Sequence, residues 1–364
     1  MAVHAFTSFS FSYLNRARVL AASIKRIHPD WVTWAVISDH APPSFRFELE
    51  QEAFDRVLYL EDLFGDQSAS WIFGHDVIEA CTGVKGRALT YILEQGDCEK
   101  VFFFDPDTAL FNPMDDVLDT LDTYSIVLTP HQIDPEPPED VRAIIDNEIC
   151  SLHYGSFNLG FVGVSNTDEG RRFAKWWDAR LTDWCHDRLD IGLFVDQKWC
   201  NLVPCYFDSV KILRDPGLNV ASWNLSQRTV TFDEKGMARV NGSPLKFFHF
   251  TKLGPIGDKM TSRYAKDNVE VYELWHWYKD EVEKSTAPTI PNDWWHFGTF
   301  ANGKKIKKHI RRLYREAPYL HERYPNPFQA SHWAYLPLAR YERVRLRWKK
   351  VKRSFKQMKR RFRG

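Results

Sequence analysis

The chain has 364 residues, 44% of them hydrophobic, which is enough to bury the core of one large α/β domain with additional segments. It contains no run of 18 apolar residues, which excludes a membrane-spanning helix. Its six cysteines form no Cys-x-x-Cys pair and no metal-ligand spacing, and its formal charge of +1 conceals an uneven distribution along the chain.

Strand and helix patterns alternate through the first part of the chain. This alternation predicts an α/β fold with a mostly parallel mixed sheet and helices on both faces. In such sheets ligands bind beyond the carboxyl ends of the strands. In chain order the patterns predict strands at 3–9, 31–38, 56–60, 101–104 and 125–129, and helices at 14–27, 76–95 and 139–149.

The predicted strand at 101–104 ends in two carboxylates, Asp105 and Asp107, with one proline between them. Carboxylate oxygens suit hard divalent cations such as Mg²⁺ and Mn²⁺, which proteins often hold together with a substrate diphosphate. The motif therefore predicts a metal site, although a short acidic motif also ends many ordinary strands. Lys85 and Arg87, on the preceding helix, would reach the same cleft or else belong to a solvated helix face.

Further polar groups follow or interrupt apolar segments downstream, where an unpaired polar group would be costly. With these groups in this order, the chain resembles the GT-A glycosyltransferases, and most closely family 8 and similar bacterial proteins, over most of residues 3–255. The resemblance rests on Asp105-Pro106-Asp107, Phe157-Asn158-Leu159-Gly160, Asp196-Gln197 and His249.

The resemblance implies a metal site for Mn²⁺ or Mg²⁺. Asp105 and Asp107 correspond to the family's metal-binding Asp-x-Asp, with Asp105 also at the donor, and His249 corresponds to its third protein ligand. The family usually continues after this histidine with Gly and Lys-Pro-Trp, whereas this chain continues with Phe-Thr-Lys252. Lys252 is therefore the candidate for the diphosphate contact and Lys259 the reserve.

The resemblance also implies the residues that bind and act on the donor sugar. Asn158 faces the sugar, and Asp196 and Gln197 lie beside it, so these three are the candidate catalytic residues. Asp196 could otherwise serve only as the N-cap of a helix that runs to Leu202. The Asp-Gln pair favours retention of anomeric configuration, since no separate carboxylate stands out as a base for inversion.

The end of the first strand is the expected seat of the nucleotide base. Thr7, Ser8 and Tyr13 lie there, at the position that GT-A enzymes use for this purpose. Serine and threonine are also common at any junction between a strand and a helix.

The C-terminal end of the chain is strongly basic. Residues 343–364 contain twelve Lys or Arg and no Asp or Glu. Their apolar residues are spaced four, three, four, three and four apart, which predicts a helix with one apolar face that lies on an anionic membrane surface. A solvated tail and a nucleic-acid contact are the alternatives. The apolar residues are Val344, Trp348, Val351, Phe355, Met358 and Phe362.

Together these features predict three domains: a GT-A catalytic domain at 1–255, a helical extension at 256–332 and a membrane-associating tail at 333–364. We expect no signal peptide, because polar residues interrupt the first apolar stretch. We therefore expect a cytoplasmic protein attached peripherally to the inner face of the cell membrane.

The predicted function is a metal-dependent glycosyltransferase of the hexosyltransferase class. It would move a sugar from a UDP-sugar, with retention, to a surface-glycan or lipid-linked acceptor, and would bind no nucleic acid. One alternative is a haloacid-dehalogenase-type phosphatase, whose motif prefers Thr or Val where this chain has Ala109. The other is a non-catalytic protein that binds glycan or nucleic acid.

Overall fold

The computed structural model describes residues 2–330 and Tyr335. The chain forms two compact units. The first unit comprises Met1–Leu63 and Ile78–Trp295, and the second comprises Phe64–Val77 and His296–Gly364. The domain boundaries expected after residues 255 and 332 stay predictions, and the basic tail lies outside the described residues.

Fifteen strands are found in the described part of the chain. They are β1 (Ala2–Phe9), β2 (Val32–Ile37), β3 (Arg56–Tyr59), β4 (Cys98–Phe104), β5 (Thr108–Leu110), β6 (Ile126–Pro130), β7 (Phe157–Ser165), β8 (Asp187–Arg188), β9 (Leu193–Phe194), β10 (Val210–Ile212), β11 (Val220–Ala221), β12 (Val230–Phe232), β13 (Ala238–Val240), β14 (Ser243–Pro244) and β15 (Phe247–His249).

Fourteen α-helical segments are found in the same residues, several of them a single turn long. They are α1 (Leu14–Ile27), α2 (Leu60–Phe64), α3 (Ser68–Phe73), α4 (Val77–Gly83), α5 (Lys85–Leu93), α6 (Asp115–Thr123), α7 (Val141–Ala143), α8 (Cys150–Tyr154), α9 (Asp168–Trp184), α10 (Val203–Tyr206), α11 (Pro255–Ala265), α12 (Val269–Lys284), α13 (Lys308–Glu316) and α14 (Tyr319–Arg323).

The first unit is built on a seven-stranded sheet in the order β10-β6-β7-β4-β1-β2-β3. All neighbouring strands in it are parallel except β7, which runs antiparallel to both β4 and β6. The sheet confirms the predicted α/β class with a mostly parallel mixed sheet. Because β7 is reversed, its first residues lie at the same edge as the carboxyl ends of β4 and β6.

Helices cover both faces of this sheet. Phe102 and Phe104 of β4 share a core cluster with α1 and α6 on one face. Phe103, between them, points to the other face, where the ammonium of Lys85 on α5 lies 4.0 Å from its ring centroid. α5 in turn packs closely against α9. A Cβ on Gly86 would lie 2.6 Å from the backbone of Asp178, so this crossing requires a residue without a side chain.

Two smaller sheets complete the parts of the first unit that bear on the site. β15 lies between β11, to which it is parallel, and β5, to which it is antiparallel. β12, β13 and β14 form an antiparallel meander. The residues of β15 and the meander pack with α12 into a second core cluster.

The second unit has an aromatic core of its own. Phe73 of α3 packs edge-to-face on Tyr314 of α13, with ring centroids 4.9 Å apart. The buried guanidinium of Arg311 donates hydrogen bonds to the carbonyl oxygens of Phe73, His75 and Phe297. A charged side chain is thus satisfied by backbone groups, as its burial requires.

Two predicted helices differ in detail from the observed ones. The helix expected at 76–95 is broken into α4 and α5 around Val84. The helix expected at 139–149 extends from α7 through a π-helical turn (Ile144–Ile149) into α8. A π-helical turn leaves no signature in the apolar periodicity, and such turns often occur at functional sites. Within residues 2–330, no helix has both the length and the apolar content needed to cross a bilayer.

Candidate functional site

Three strand ends bring Asp105, Asp107 and His249 together. Asp105 directly follows β4, and its backbone N–H donates to the carbonyl oxygen of Gly160 on β7 at 2.9 Å. The carbonyl oxygen of Asp107 accepts a hydrogen bond from the N–H of Phe250 at 2.7 Å. In the β5–β15 ladder His249 faces Thr108, so backbone pairing fixes the histidine against the acidic motif.

The three side chains form a compact, mostly buried group. The His249 Nε2 lies 3.0 Å from Oδ1 of Asp107 and 3.8 Å from Oδ2 of Asp105. Burial by itself disfavours the charged forms of His249 and Asp107, but each of these two charges stabilises the other. The result is that the pKa of His249 is raised and the pKa of Asp107 is lowered.

This group fits a divalent cation. One ligand atom from each of the three side chains lies within 4.8 Å of the other two. Two carboxylates and one imidazole form a donor set that suits Mn²⁺ or Mg²⁺. The Nδ1 atom of His249 is buried and has no hydrogen-bond partner among the described residues.

Buried polar atoms without such a partner recur around the cluster. Native proteins leave few buried polar atoms unpaired, so a ligand or an ion that hydrogen-bonds to such atoms would be favoured here. Among residues 2–330 they include Oγ1 of Thr7, Nδ1 of His131, Oε1 of Gln132, Oδ1 of Asn219 and Nε1 of Trp223.

Gly160 leaves the space that the His249 ring occupies. A Cβ at this position would lie 2.5 Å from Cε1 of His249, closer than real Cβ contacts allow. The glycine of the Phe-Asn-x-Gly motif therefore has a steric role. It lets the imidazole lie against the backbone of β7.

Lys85 occupies the centre of the polar network next to the cluster. Its Nζ lies 3.0 Å from Oδ1 of Asp105, 2.8 Å from Oδ2 of Asp196 and 3.0 Å from the carbonyl oxygen of Leu159. Burial by itself would lower the pKa of this ammonium, but the two carboxylates outweigh burial and raise it. The lysine is thus a fixed cation between the acidic motif and the Asp-Gln pair.

Asp196 and Gln197 are held beside this lysine by an unusual backbone. Val195, immediately before them, has a φ of +37°, a left-handed conformation that is rare for a β-branched residue. Burial raises the pKa of Asp196, with Lys85 opposing that effect. The Asp196 side chain makes no capping hydrogen bond to the 3₁₀ helix that follows it, so its observed partner is the lysine.

Asn158 joins Gln197 in a buried amide network. The Asn158 Nδ2 donates to Nε2 of His131 at 3.2 Å and to Oε1 of Gln197 at 3.4 Å. Its Oδ1 accepts from Nδ2 of Asn219 and from the N–H of Gly160, both at 3.0 Å. These bonds fix the orientation of both amides toward one cavity.

The cavity beside this network has a volume of about 590 Å³. It brings together amides, carboxylates and aromatic rings, a mixture suited to a ligand with many hydroxyl groups. The walls are formed by His131, Gln132, Asp146, Asn147, Cys150, Ser151, Tyr154, Asn158, Asp187, Leu189, Phe194, Gln197, Trp223, Thr251, Lys252 and Met260.

Among the expected diphosphate contacts, Lys252 lines this cavity and Arg87 lies elsewhere. Lys252 adopts a left-handed backbone with φ of +57°. Arg87 forms an ion pair with Asp178 of α9 at 3.1 Å and donates to the carbonyl oxygen of Leu63. The structure therefore does not bring Arg87 together with the acidic motif.

The three residues that were expected to bind the nucleotide base lie in different environments. The Thr7 hydroxyl is buried without a hydrogen-bond partner in the described residues, whereas the Ser8 hydroxyl donates to the carbonyl oxygen of Cys81 at 2.6 Å. Tyr13 is partly exposed and lies under the guanidinium of Arg16 at 4.2 Å. Burial and the nearby charge of Asp107 raise the pKa of this tyrosine.

Two residues of the site, His131 and Trp223, were not predicted from the sequence. His131 follows β6 directly, as Asp105 follows β4, so its position at a strand end was an available signal. Burial lowers its pKa to about 4, which keeps it neutral at pH 7. Trp223 packs edge-to-face on both His131 and His249, with centroid distances of 5.7 and 5.1 Å. It lies in a loop, and nothing in the local sequence indicates its role.

Comparison with known proteins gives distant relatives. No protein-family model matches the chain. The uncharacterized protein YfnF of Bacillus subtilis (strain 168) is 26% identical over 177 residues, 48% of this chain and 57% of YfnF. YfnD of the same organism is 26% identical over 184 residues, 50% of this chain and 56% of YfnD. The chain thus spans about half the length of the curated relatives it matches.

Some solved structures are similar to part of the chain. The galactosyltransferase LgtC, in complex with donor and acceptor sugar analogues, is 14% identical with a TM-score of 0.46, over 81% of this chain and 99% of LgtC. The glycosyltransferase GlyE of Streptococcus pneumoniae TIGR4, in its apo form, is 13% identical with a TM-score of 0.42, over 78% of this chain and 62% of GlyE. Both TM-scores are below 0.5.

Proposed function

We propose that the chain is a GT-A glycosyltransferase of the hexosyltransferase class that depends on Mn²⁺ or Mg²⁺. Its donor is a nucleotide sugar, with UDP as the nucleotide, and its acceptor is a surface glycan or a lipid-linked saccharide. The transfer retains the anomeric configuration. No nucleic acid takes part in the reaction.

One observation carries this proposal. The group of Asp105, Asp107 and His249, which fits a cation, is joined through Lys85 to the Asp196-Gln197 pair, and Gln197 also lines a cavity of about 590 Å³. A cation site, a fixed ammonium and a cavity with amide groups on its wall are the parts that a reaction with a charged diphosphate leaving group needs.

The proposed reaction places additional negative charge on the leaving diphosphate. When the bond between the anomeric carbon and the diphosphate oxygen breaks, the oxygen takes the electron pair and the sugar carbon becomes cation-like. A divalent ion held by Asp105, Asp107 and His249 would act as a Lewis acid on the diphosphate. Lys85 holds Asp105 in place through an ion pair at 3.0 Å, and Lys252 adds positive charge on the cavity wall.

The amide network supports a sugar site. Asn158 and Gln197 both line the cavity and are fixed by hydrogen bonds on their buried sides. Asp196 would be oriented toward the donor sugar by its ion pair with Lys85. Asp146, a carboxylate on the cavity wall, accepts hydrogen bonds from Arg263 and Tyr264, which makes it a poor base for inversion.

The sequence of the tail supports the proposed acceptor and the proposed location of the enzyme. A basic helix with an apolar face at 343–364 would bind the inner face of the cell membrane, where lipid-linked acceptors are found. These residues lie outside the described part of the chain. The nucleotide seat at Thr7, Ser8 and Tyr13 is likewise part of the proposal.

Calorimetric titration of UDP with and without Mn²⁺ tests the function. Wild-type protein should bind UDP at least about tenfold more tightly with Mn²⁺, because an ion held by Asp105, Asp107 and His249 would attract the diphosphate. The Asp107→Ala variant should lose this gain while its circular dichroism spectrum stays unchanged. Asp267→Ala, an exposed aspartate of the same unit, is the control. Equal UDP and Mn²⁺ affinity in Asp107→Ala and wild type would refute the metal site.

A further inference from the structure

The two units carry opposite charge. The second unit, residues Phe64–Val77 and His296–Gly364, contains 21 Lys and Arg against five Asp and Glu, a formal charge of +16. The first unit contains 28 Lys and Arg against 43 Asp and Glu, a formal charge of −15. The near-neutral whole chain is therefore the sum of a strongly acidic unit and a strongly basic one.

Part of this basic charge lies on the described surface of the second unit. Between Asp293 and Glu316 the sequence contains no acidic residue. Four lysines follow the turn at Gly303, and all four are exposed. We call them the lysine cluster: Lys304, Lys305, Lys307 and Lys308.

The apolar neighbours of the lysine cluster point inward. Ile306 and Ile310 are buried in the aromatic core of the unit, which forces the lysines between and beside them outward. Two of the nearby arginines serve the interior, since Arg311 is buried and Arg315 donates to the carbonyl oxygen of Gly74, whereas Arg312 pairs with Glu316 at 3.9 Å. Asp76 forms an ion pair with Lys308 at 3.1 Å.

We propose that the second unit binds an anionic phospholipid surface through the lysine cluster. An anionic bilayer attracts basic residues near its surface and repels acidic ones. The first unit, at −15, would be repelled, so attachment requires the positive charge that the second unit concentrates. The purpose of the docking, access to a lipid-linked acceptor, rests on the proposed function, whereas the binding itself does not.

A lipid surface fits these features better than a nucleic acid does. The charges of the lysine cluster are attracted by lipid headgroups and by nucleic-acid phosphates alike, so the apolar residues of the chain decide between the two partners. The chain continues into residues 343–364, whose predicted apolar stripe includes Trp348 and Phe355. An apolar stripe on a basic helix is useful at a lipid surface, where it inserts between headgroups. A nucleic-acid duplex would use only the charge.

Sedimentation of the full chain with vesicles tests the proposal. The vesicles contain phosphatidylglycerol and phosphatidylcholine in a ratio of about 1:3, or phosphatidylcholine alone. Each lysine near an anionic surface contributes about fivefold to binding, so Lys305→Glu with Lys307→Glu should weaken binding by about 25-fold or more. Lys307 precedes α13, where a carboxylate favours the helix, so the double variant should fold.

The matched control is Lys175→Glu with Lys235→Glu. It makes the same change in net charge at two exposed lysines of the first unit and should bind vesicles nearly as well as wild type. Binding should also fall steeply when the salt concentration rises from 0.1 to about 0.5 M, because the charges are exposed.

Three outcomes would overturn the proposal: equal binding to phosphatidylcholine alone, equal losses in the two double variants, or tighter binding to a duplex DNA than to anionic vesicles at about 0.15 M salt. Hydrolysis of a soluble UDP-sugar is measured on the same variants. If vesicle binding follows the prediction and no nucleotide sugar is hydrolysed by wild type, the proposed function fails and the lipid site stands. If hydrolysis is intact and vesicle binding is absent, the lipid site fails and the proposed transferase activity stands.

Discussion

The Nζ atom of Lys85 lies 2.8 Å from Oδ2 of Asp196, and both side chains are almost fully buried. The same Nζ lies 3.0 Å from Asp105, so one ammonium compensates two carboxylates that belong to different loops. Removing one partner of a buried ion pair costs more stability than removing a surface pair, because the remaining charge stays desolvated.

Replacing Lys85 by Met should therefore lower the free energy of unfolding by about 3–5 kcal/mol at pH 7, as measured by urea denaturation. Adding Asp196→Asn should restore part of the loss, since it removes the uncompensated charge. Arg87→Met, which breaks a partly exposed pair with Asp178, should cost about 1 kcal/mol or less. Equal losses in Lys85→Met and Arg87→Met would contradict the central position of Lys85.

Gly160→Ala should weaken Mn²⁺ binding by at least about tenfold. The new Cβ would lie 2.5 Å from the His249 ring, so the imidazole must move away from Asp107. Gly96→Ala is the control, because a Cβ there has open space around it. The measurement is titration of Mn²⁺ by electron paramagnetic resonance. Unchanged Mn²⁺ affinity in Gly160→Ala would show that the histidine is not a ligand.

Asp196→Asn should reduce turnover of a UDP-sugar by about 100-fold, a typical loss for one polar group that acts in the transition state. The affinity for UDP should stay close to that of wild type, since the carboxylate is proposed to act on the sugar. Initial rates and UDP calorimetry separate the two effects. A loss of stability with full turnover would instead assign a structural role to Asp196.

Acidification should destabilise the first unit through His131. Burial lowers its folded pKa to about 4, whereas the unfolded value is near 6.5. Between these values the unfolded chain binds a proton that the folded chain does not, so stability falls as the pH drops from 6.5 toward 4. We expect this residue to contribute roughly 2 kcal/mol of the loss, given that its ring is partly exposed.

The His131→Gln variant checks this assignment. Its free energy of unfolding should depend less on pH between 6.5 and 4.5 than that of wild type. His276→Gln, which removes an exposed histidine on α12, should leave the dependence unchanged. If His131→Gln and wild type lose stability in parallel, the acid sensitivity arises elsewhere.

Much of the fold could be predicted because the apolar patterns of single segments match the strands and helices that the structure shows. The strand expected at 56–60 is β3 (Arg56–Tyr59), and the helix expected at 14–27 is α1 (Leu14–Ile27). The reversed direction of β7 could not be predicted, since a fully buried strand has the same apolar run in either direction. The break between α4 and α5 follows Gly83, but a single glycine inside an apolar helical pattern does not require a break, and Val84 continues that pattern.

The candidate site was predictable where a charged group ends a buried strand. Asp105, Asp107 and His249 follow that rule, and the structure brings them together. Lys85 and Arg87 are two residues apart on α5, so helix geometry points them to different sides, but only the packing of α5 shows which of them faces the acidic motif. Trp223 illustrates the remaining limit, since its contact with His249 joins a loop to strand β15, and no local pattern predicts that pairing.

The backbone of Val195 positions Asp196 and Gln197 at a cost in stability. A buried valine at φ of +37° raises the free energy of the folded state by about 1–2 kcal/mol relative to a relaxed backbone. A glycine there would relieve that strain and would also let the following two residues sample other orientations. Because Val195 is also buried, Val195→Gly would lose apolar contacts as well as strain, so these two effects on the free energy of unfolding oppose each other.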